Sequence, residues 1–149
     1  MTDIRELPAV MEVCERLKAK IRCDFVGLAF QNEAGPDVRW HYAAGNMNDK
    51  YKRIIVRFGK GIAGKVISSG CPLMMTNFPH DIHGKMTDYP IALAEKLVSV
   101  YAVPLFLPTV PKGVLLIGNR ASYLFTGEEQ ETVNDAAKAL EQLLTGEGF

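Results

Sequence analysis

The stretch of sequence that decides the fold is residues 58–70, which read FGKGIAGKVISSG. Gly59, Gly61 and Gly64 are typical of a tight turn that opens a helix, and Gly70 stands where a glycine commonly ends one. The first turn of a helix leaves backbone N–H groups without partners inside the helix, and the helix dipole makes that end positive. The pattern therefore predicts a short helix whose start either only permits a tight turn or also binds a small anion.

The segments on either side of this turn predict an α+β domain. Apolar residues recur at helical spacing from Leu7 to Ile21, and Thr126 with Glu129 fits a capping box that begins a last helix. Short apolar or alternating runs predict strands at residues 25–30, 38–42, 54–56, 72–75, 99–107 and 114–117. Because hairpin connections dominate this order, the sheet should be mainly antiparallel with helices packed beside it.

Two details of the pattern concern the faces of the sheet and its longest loop. Val38, Trp40 and Tyr42 alternate with polar residues, so all three are expected to share one strand face. Residues 77–96 are expected to form a loop with a short helix over residues 91–97. A connection of this length inside a compact domain is usually functional or mobile.

The composition excludes several classes of function. The chain has 149 residues, of which 48% are hydrophobic, and 17 Lys and Arg balance 17 Asp and Glu. Balanced charge gives no long-range field, so we expect no binding to nucleic acid or to an anionic membrane surface. No apolar run approaches the roughly 20 residues that span a bilayer, and residues 1–6 do not resemble a secretory signal. We therefore expect one domain over residues 1–149, located in the cytoplasm.

Cysteine and histidine content gives no support for a metal or redox centre. Cys14, Cys23 and Cys71 are scattered, make no disulfide framework and have no zinc-ligand spacing. His80 and His83 lie three residues apart, but no third and fourth metal ligand is evident, so we interpret both as solvent-exposed loop residues. Since the common hydrolase, phosphate-loop and metalloprotease motifs are also missing, we expect neither a metal nor an enzyme.

Two further features are candidates for contact with a small ligand. Trp40 brings one indole N–H donor, and it is either a core residue or a ligand contact. Pro90 suits the first position of a helix, so Ile91 would begin a second group of N–H donors, unless Tyr89 and its neighbours form only a plain loop-to-helix turn. Lys65 is expected to point outward, because its apolar neighbours in the glycine-opened helix face inward.

The chain resembles a GAF domain over essentially its whole length. The resemblance rests on the order of elements, on the glycine turn at residues 58–64, on the strand pair at residues 99–107 and 113–119, and on the helix start at residues 124–129, which reads LFTGEE. It implies a six-stranded antiparallel sheet with the chain-end helices on one face and a small-ligand pocket on the other. The GAF resemblance does not fix the ligand, because GAF pockets hold very different molecules.

Within that family the chain most resembles stand-alone bacterial nitrate receptors, which act beside a sensor histidine kinase and a response regulator. This resemblance rests on Trp40, on residues 61–64 and on residues 88–91. It implies that nitrate lies between two helix starts, held by backbone N–H groups and the indole N–H, with a tyrosine as a wall. The implied ligand-binding residues are Trp40, Ile62, Ala63, Tyr89 and Ile91.

The charge and hydration of nitrate suit a pocket of backbone N–H groups. Binding nitrate in this way requires no cofactor. Nitrate is small, weakly hydrated and singly charged, so neutral N–H donors can offset its modest desolvation cost. Sulfate and doubly charged phosphate lose more hydration and are better matched by Arg or Lys side chains. The first and last helices, if they pack side by side, would offer a surface for a homodimer or the kinase.

Two other functions within the family stay open from the sequence. One is the reduction of free methionine-(R)-sulfoxide, which would need a nucleophilic cysteine in the pocket, where this chain has Ala63. The other is the binding of a cyclic nucleotide or another organic ligand, since Asn119 and Arg120 faintly resemble a salt-bridge motif of such domains. That last function would need a larger pocket.

Overall fold

The computed structural model describes residues 7–146, which form one antiparallel sheet with helices on both faces. The helices are α1 (Pro8–Ile21), α2 (Gly61–Ser69), α3 (Pro90–Ala94) and α4 (Gly127–Gly146). The strands are β1 (Phe25–Gln31), β2 (Asp37–Ala44), β3 (Ile55–Arg57), β4 (Leu73–Met75), β5 (Ser99–Phe106) and β6 (Pro111–Asn119). Their order is β3-β2-β1-β6-β5-β4, so the predicted α+β class and six-stranded antiparallel sheet are confirmed.

The predicted start of α4 is confirmed, whereas the turn between β5 and β6 differs from the prediction. The capping box of α4 is present, because Glu129 N–H donates to Thr126 Oγ1 at 3.1 Å and Thr126 N–H donates to Glu129 Oε1 at 2.8 Å. The turn between β5 and β6 is shorter than the expected residues 107–113, since Leu107 N–H already donates to the Val110 carbonyl at 2.9 Å. Pro111 can begin β6 because it stands at the first strand position, beside a register shift, where its missing N–H is tolerated.

The sheet separates two apolar cores. The core beneath α1 and α4 contains residues from both helices, and its largest fully buried members include Leu28, Leu115, Ile117, Phe125 and Leu140. The opposite core lies beneath α2 and α3, and its largest fully buried members include Phe25, Ile62, Ile91, Leu97 and Leu116. The chain-end helices thus cover one face, as the resemblance implies. None of the helices in residues 7–146 has the length and apolar character needed to cross a bilayer.

The prediction that Tyr42 shares a strand face with Trp40 is wrong. Ala29 pairs with Trp40, whereas the preceding Leu28 pairs with Tyr42, so His41 is an extra residue in β2. Such a β-bulge reverses the alternation of side chains beyond it. As a result, Trp40 lies in the core beneath α2 and α3, and Tyr42 lies in the core beneath α1 and α4.

The turn before α2 depends on a very close backbone approach. Gly59 N–H donates to the Gly64 carbonyl at 2.9 Å, which closes the turn on the end of β3. A Cβ added to Gly64 would lie only 2.2 Å from the carbonyl oxygen of Arg57. Tight packing therefore accounts for Gly64 without any ligand. At the other end of α2, Gly70 has a left-handed conformation with φ of 67°, which confirms the predicted helix end.

A buried ion pair fixes the residue that follows α3. The Glu95 carboxylate is fully buried, and its Oε1 accepts hydrogen bonds from Arg120 Nη2 and from the Met47 N–H, both at 2.8 Å. Arg120 also donates to the carbonyls of Glu95 and Gly45, at 2.9 and 3.0 Å. Glu95 Oε2 has no hydrogen-bond partner among the described residues. The pair therefore joins α3 to the end of β6 and to the loop after β2, and removing one partner would leave a buried charge.

The substitution Gly64→Ala is expected to lower the free energy of unfolding by about 1–3 kcal/mol, because the new Cβ overlaps the Arg57 carbonyl and forces the turn away from β3. The matched control is Gly127→Ala at the first position of α4, where an added Cβ meets nothing within 4 Å. That control should be neutral or slightly stabilising. Urea unfolding measures both, and equal midpoints for the two variants would contradict the role given to the close approach.

Candidate functional site

The five residues that the resemblance implies as ligand-binding come together in one place. Trp40 on β2, Ile62 and Ala63 on α2, and Ile91 on α3 all belong to the core beneath these two helices, together with Tyr89 just before α3. Their exposed fractions run from 1% to 5%. Residues up to 51 positions apart (Trp40 and Ile91) are thus buried in the same core, on the sheet face opposite the chain-end helices. Their role in binding stays a prediction.

Several backbone N–H groups at the helix starts are unpaired, among them three of the predicted ligand contacts. Ile62 and Ala63 occupy the second and third positions of α2, and Ile91 occupies the second position of α3, after Pro90 as predicted. N–H groups at these positions have no acceptor within their own helix. Within residues 7–146 they have no acceptor outside the helix either. These three donors therefore remain available to a ligand that reaches them.

Trp40 adds a fourth donor. Its side chain is 4% exposed, and its indole N–H, which is not fully shielded from solvent, donates to no acceptor in the part of the chain that the structure describes. The six-membered ring lies on Gly27, where an added Cβ would be 3.0 Å from Trp40 Cζ3. Gly27 therefore makes room for the ring against the sheet. The two interpretations of Trp40 are compatible, since the ring belongs to the core while the N–H group stays unpaired.

Tyr89 stands at the outer side of this core. Its ring meets Phe78 edge to face, with centroids 5.8 Å apart and an interplanar angle of 67°. Its hydroxyl accepts a hydrogen bond from Lys65 Nζ at 2.7 Å. The prediction that Lys65 points into solvent is wrong, because its side chain is half-buried and reaches across to the tyrosine. Lysine can place its methylene groups along an apolar surface while its ammonium finds a polar partner.

An open cleft of about 450 Å³ lies beside Lys65 and between the starts of α2 and α3. Arg57, Lys60 and Lys65 line it, and the acidic side chain in the lining is that of Asp88. The remaining lining residues are Ile55, Val56, Gly59, Gly61, Thr87 and Pro90. The lining of this cleft carries more positive than negative charge, and it includes none of the five predicted ligand-binding residues.

The long loop is anchored where it leaves β4. Asp81 Oδ2 accepts hydrogen bonds from the N–H groups of Thr76, at 2.6 Å, and Asn77, at 3.0 Å. Partial desolvation acts to raise the pKa of Asp81, but these hydrogen bonds outweigh it and hold the pKa below its usual value. Phe78 N–H also donates to the Val98 carbonyl at 2.7 Å. These contacts fix the part of the loop that supports Tyr89, and the sequence alone did not point to them.

The remaining candidates lie apart from this site. His80 and His83 are exposed in the loop, as predicted, and residues 7–146 hold no group of three side chains suited to bind a metal. Cys14 and Cys23 are buried in the opposite core, where desolvation raises the pKa of Cys14 to about 12 and that of Cys23 to about 11. Cys71 is exposed beyond the end of α2.

Comparison with known proteins gives relatives among solved structures. No family model matches the chain, and no curated protein matches it. A variant of NreA from Staphylococcus aureus, mutated in its nitrate-binding site, is 35% identical, with a TM-score of 0.73 over 80% of this chain and 88% of that one. The GAF domain of a phosphoenolpyruvate-protein phosphotransferase from Coxiella burnetii is 21% identical, with a TM-score of 0.77 over 93% and 82% of the two chains.

A third solved structure to which this chain is similar is that of an enzyme. Free methionine-R-sulfoxide reductase from Neisseria meningitidis, in complex with its substrate, is 20% identical, with a TM-score of 0.73 over 94% of this chain and 81% of that one. At this identity, and at that of the Coxiella domain, the likeness concerns the fold alone. Together with the sheet and helix arrangement, these structures show that the chain belongs to the GAF domain family. Within that family it is similar to NreA, at an identity well above that of the other two.

The thiol chemistry of the three cysteines can be checked directly. At pH 8 one thiol of the native protein, Cys71, should react with a thiol reagent, while Cys14 and Cys23 react only after unfolding. The reason is that the reactive thiolate is scarce far below a pKa of about 11 or 12, and burial also blocks access. In Cys71→Ser, the native protein should show no fast reaction. Fast reaction of two or more thiols in the native wild-type protein would contradict the burial described.

Proposed function

We propose that the chain is a receptor that binds nitrate reversibly between the starts of α2 and α3. The observation that carries this proposal is the group of unpaired donors, namely the N–H groups of Ile62, Ala63 and Ile91 and the indole N–H of Trp40. In this proposal Tyr89 is a wall of the site, since it belongs to the same core as these residues. The 35% identity to NreA, a protein with a nitrate-binding site, supports nitrate as the ligand.

The donor set suits a small monovalent oxyanion. Nitrate offers three oxygens in a plane, and several N–H donors can contact it without any compensating change of protonation. The start of α2 adds a positive partial charge of about half an elementary charge. A dianion such as sulfate would lose much more hydration on entry, and neutral amides return less of that free energy than charged side chains do.

Reversible binding accounts for the site better than catalysis does. Reduction of a sulfoxide requires a thiolate that can attack the substrate, and the described core beneath α2 and α3 contains no cysteine. The small Ala63 stands beside the glycine turn, where the sulfoxide reductases that this chain resembles carry a cysteine. The likeness to the Neisseria enzyme, at 20% identity, extends to the fold and not to this chemistry. We infer a non-enzymatic sensor.

We further propose that nitrate binding in the cytoplasm modulates a sensor histidine kinase of a two-component system. α1 and α4 lie side by side on the sheet face opposite the site, and their outer faces offer a surface to the kinase or to a second copy of the chain. β1 and β6 contribute buried residues to both cores, so a change of packing under α2 can reach α1 and α4 through these strands. Nitrate can change the surface of α1 and α4 only if its affinity differs between two conformations of the protein.

Titration of nitrate by calorimetry tests the binding site. Trp40→Phe removes the indole N–H and retains an aromatic ring, so nitrate affinity should fall about tenfold, the effect of one hydrogen bond to a charged group. We prefer Phe to Ala, because truncation of a buried Trp to Ala costs about 3–5 kcal/mol of stability and would confuse the result.

The matched control for this titration is Tyr42→Phe, two residues along β2 but in the opposite core. It should bind nitrate within about twofold of the wild-type protein, a difference of less than 0.5 kcal/mol by the usual conversion. Two results would contradict the proposal. One is the absence of binding heat for the wild-type protein at millimolar nitrate, and the other is an unchanged affinity in a folded Trp40→Phe variant.

A further inference from the structure

Lys65 is the cationic side chain that touches the wall of the proposed nitrate site. Lys65 is the fifth residue of α2. Its Nζ donates to the Tyr89 hydroxyl at 2.7 Å and lies 4.7 Å from the centre of the tyrosine ring. The side chain thereby bridges the gap between α2 and the residue that precedes α3. Of the three N–H donors on the ammonium, this contact uses one.

The ammonium of Lys65 has no counter-ion among the described residues. The ion pairs formed within residues 7–146 involve other cations, namely Arg16, Lys52 and Arg120. Asp88 lines the same cleft, but its Oδ2 accepts a hydrogen bond from the Lys85 N–H at 3.2 Å and makes no ion pair with Lys65. A half-buried cation that lacks a counter-ion gains free energy when an anion is placed nearby.

We propose that Lys65 sets the charge selectivity of the site, by balancing the charge of the bound anion and by holding Tyr89 in place as the wall. This inference rests on the proposed nitrate-binding function. One ammonium beside neutral N–H donors matches one negative charge, so the site selects monovalent anions. A neutral organic molecule gains nothing from the ammonium, and a dianion brings a second negative charge that Lys65 alone does not balance.

Two variants separate the charge of Lys65 from its contact with Tyr89. Lys65→Met keeps the length of the side chain and removes both the charge and the hydrogen bond. Tyr89→Phe removes the hydroxyl that accepts this bond and keeps the charge and the ring. Lys65→Arg restores the charge and the donors. The control for a change in net charge is Lys138→Met, an exposed residue of α4 on the other face of the sheet.

Calorimetric titration with sodium nitrate is expected to give a clear order. Lys65→Met should bind nitrate about tenfold more weakly than the wild-type protein, as expected for the loss of one nearby charge. Tyr89→Phe should show a smaller loss, about threefold by the same conversion. Lys65→Arg should recover most of the affinity, and Lys138→Met should not differ from wild type. Thermal melting without nitrate confirms that each variant is folded.

Each failure has a distinct meaning. If the wild-type protein binds nitrate and Lys65→Met binds it equally well, the role of Lys65 is overturned while the nitrate proposal stands. If Lys65→Arg loses as much affinity as Lys65→Met, the effect is not one of charge, and the inference is likewise overturned. If Lys65→Met does not fold, Lys65→Gln takes its place as the uncharged variant, and wild-type affinity for nitrate in folded Lys65→Gln overturns the inference. If the wild-type protein binds no monovalent anion, both proposals fall.

Discussion

Four N–H groups that find no acceptor in the described protein are the feature on which the proposed function depends. Three belong to the backbone of Ile62, Ala63 and Ile91, and the fourth is the indole N–H of Trp40. N–H groups in the first turn of a helix always lack partners inside the helix, and a hydrogen bond from such a group to a charged acceptor is worth about 1.5–3 kcal/mol. The proposed function requires that one small anion accept from all four groups.

The rest of the fold holds these donors in position. The turn before α2 packs its backbone so tightly on β3 that only glycine fits at position 64, and this sets where the helix starts. The β-bulge at His41 separates Trp40 from Tyr42 and leaves the indole on the side of α2 and α3. The Glu95–Arg120 ion pair ties the end of α3 to the sheet. Each of these features acts through backbone packing or a buried contact.

The sequence predicted the order of elements, the end of α2 at Gly70 and the capping box of α4, because these depend on neighbouring residues. It could not predict the bulge in β2, which appears only in the pairing with β1, or the Glu95–Arg120 pair, whose partners are 25 residues apart. The position of Lys65 was wrong for a similar reason. Helical periodicity gives the direction of its Cβ, but the acceptor on Tyr89, 24 residues later, decides where the ammonium lies.

The most direct test of the central claim is to follow the individual amide protons by two-dimensional ¹H–¹⁵N NMR during titration with nitrate. Our account predicts that the largest shifts fall on the backbone amides of Ile62, Ala63 and Ile91 and on the indole N–H of Trp40, and that they saturate together with one affinity. Saturating shifts confined to other regions, such as α1 and α4, would contradict it, and so would a titration in which these four signals do not move.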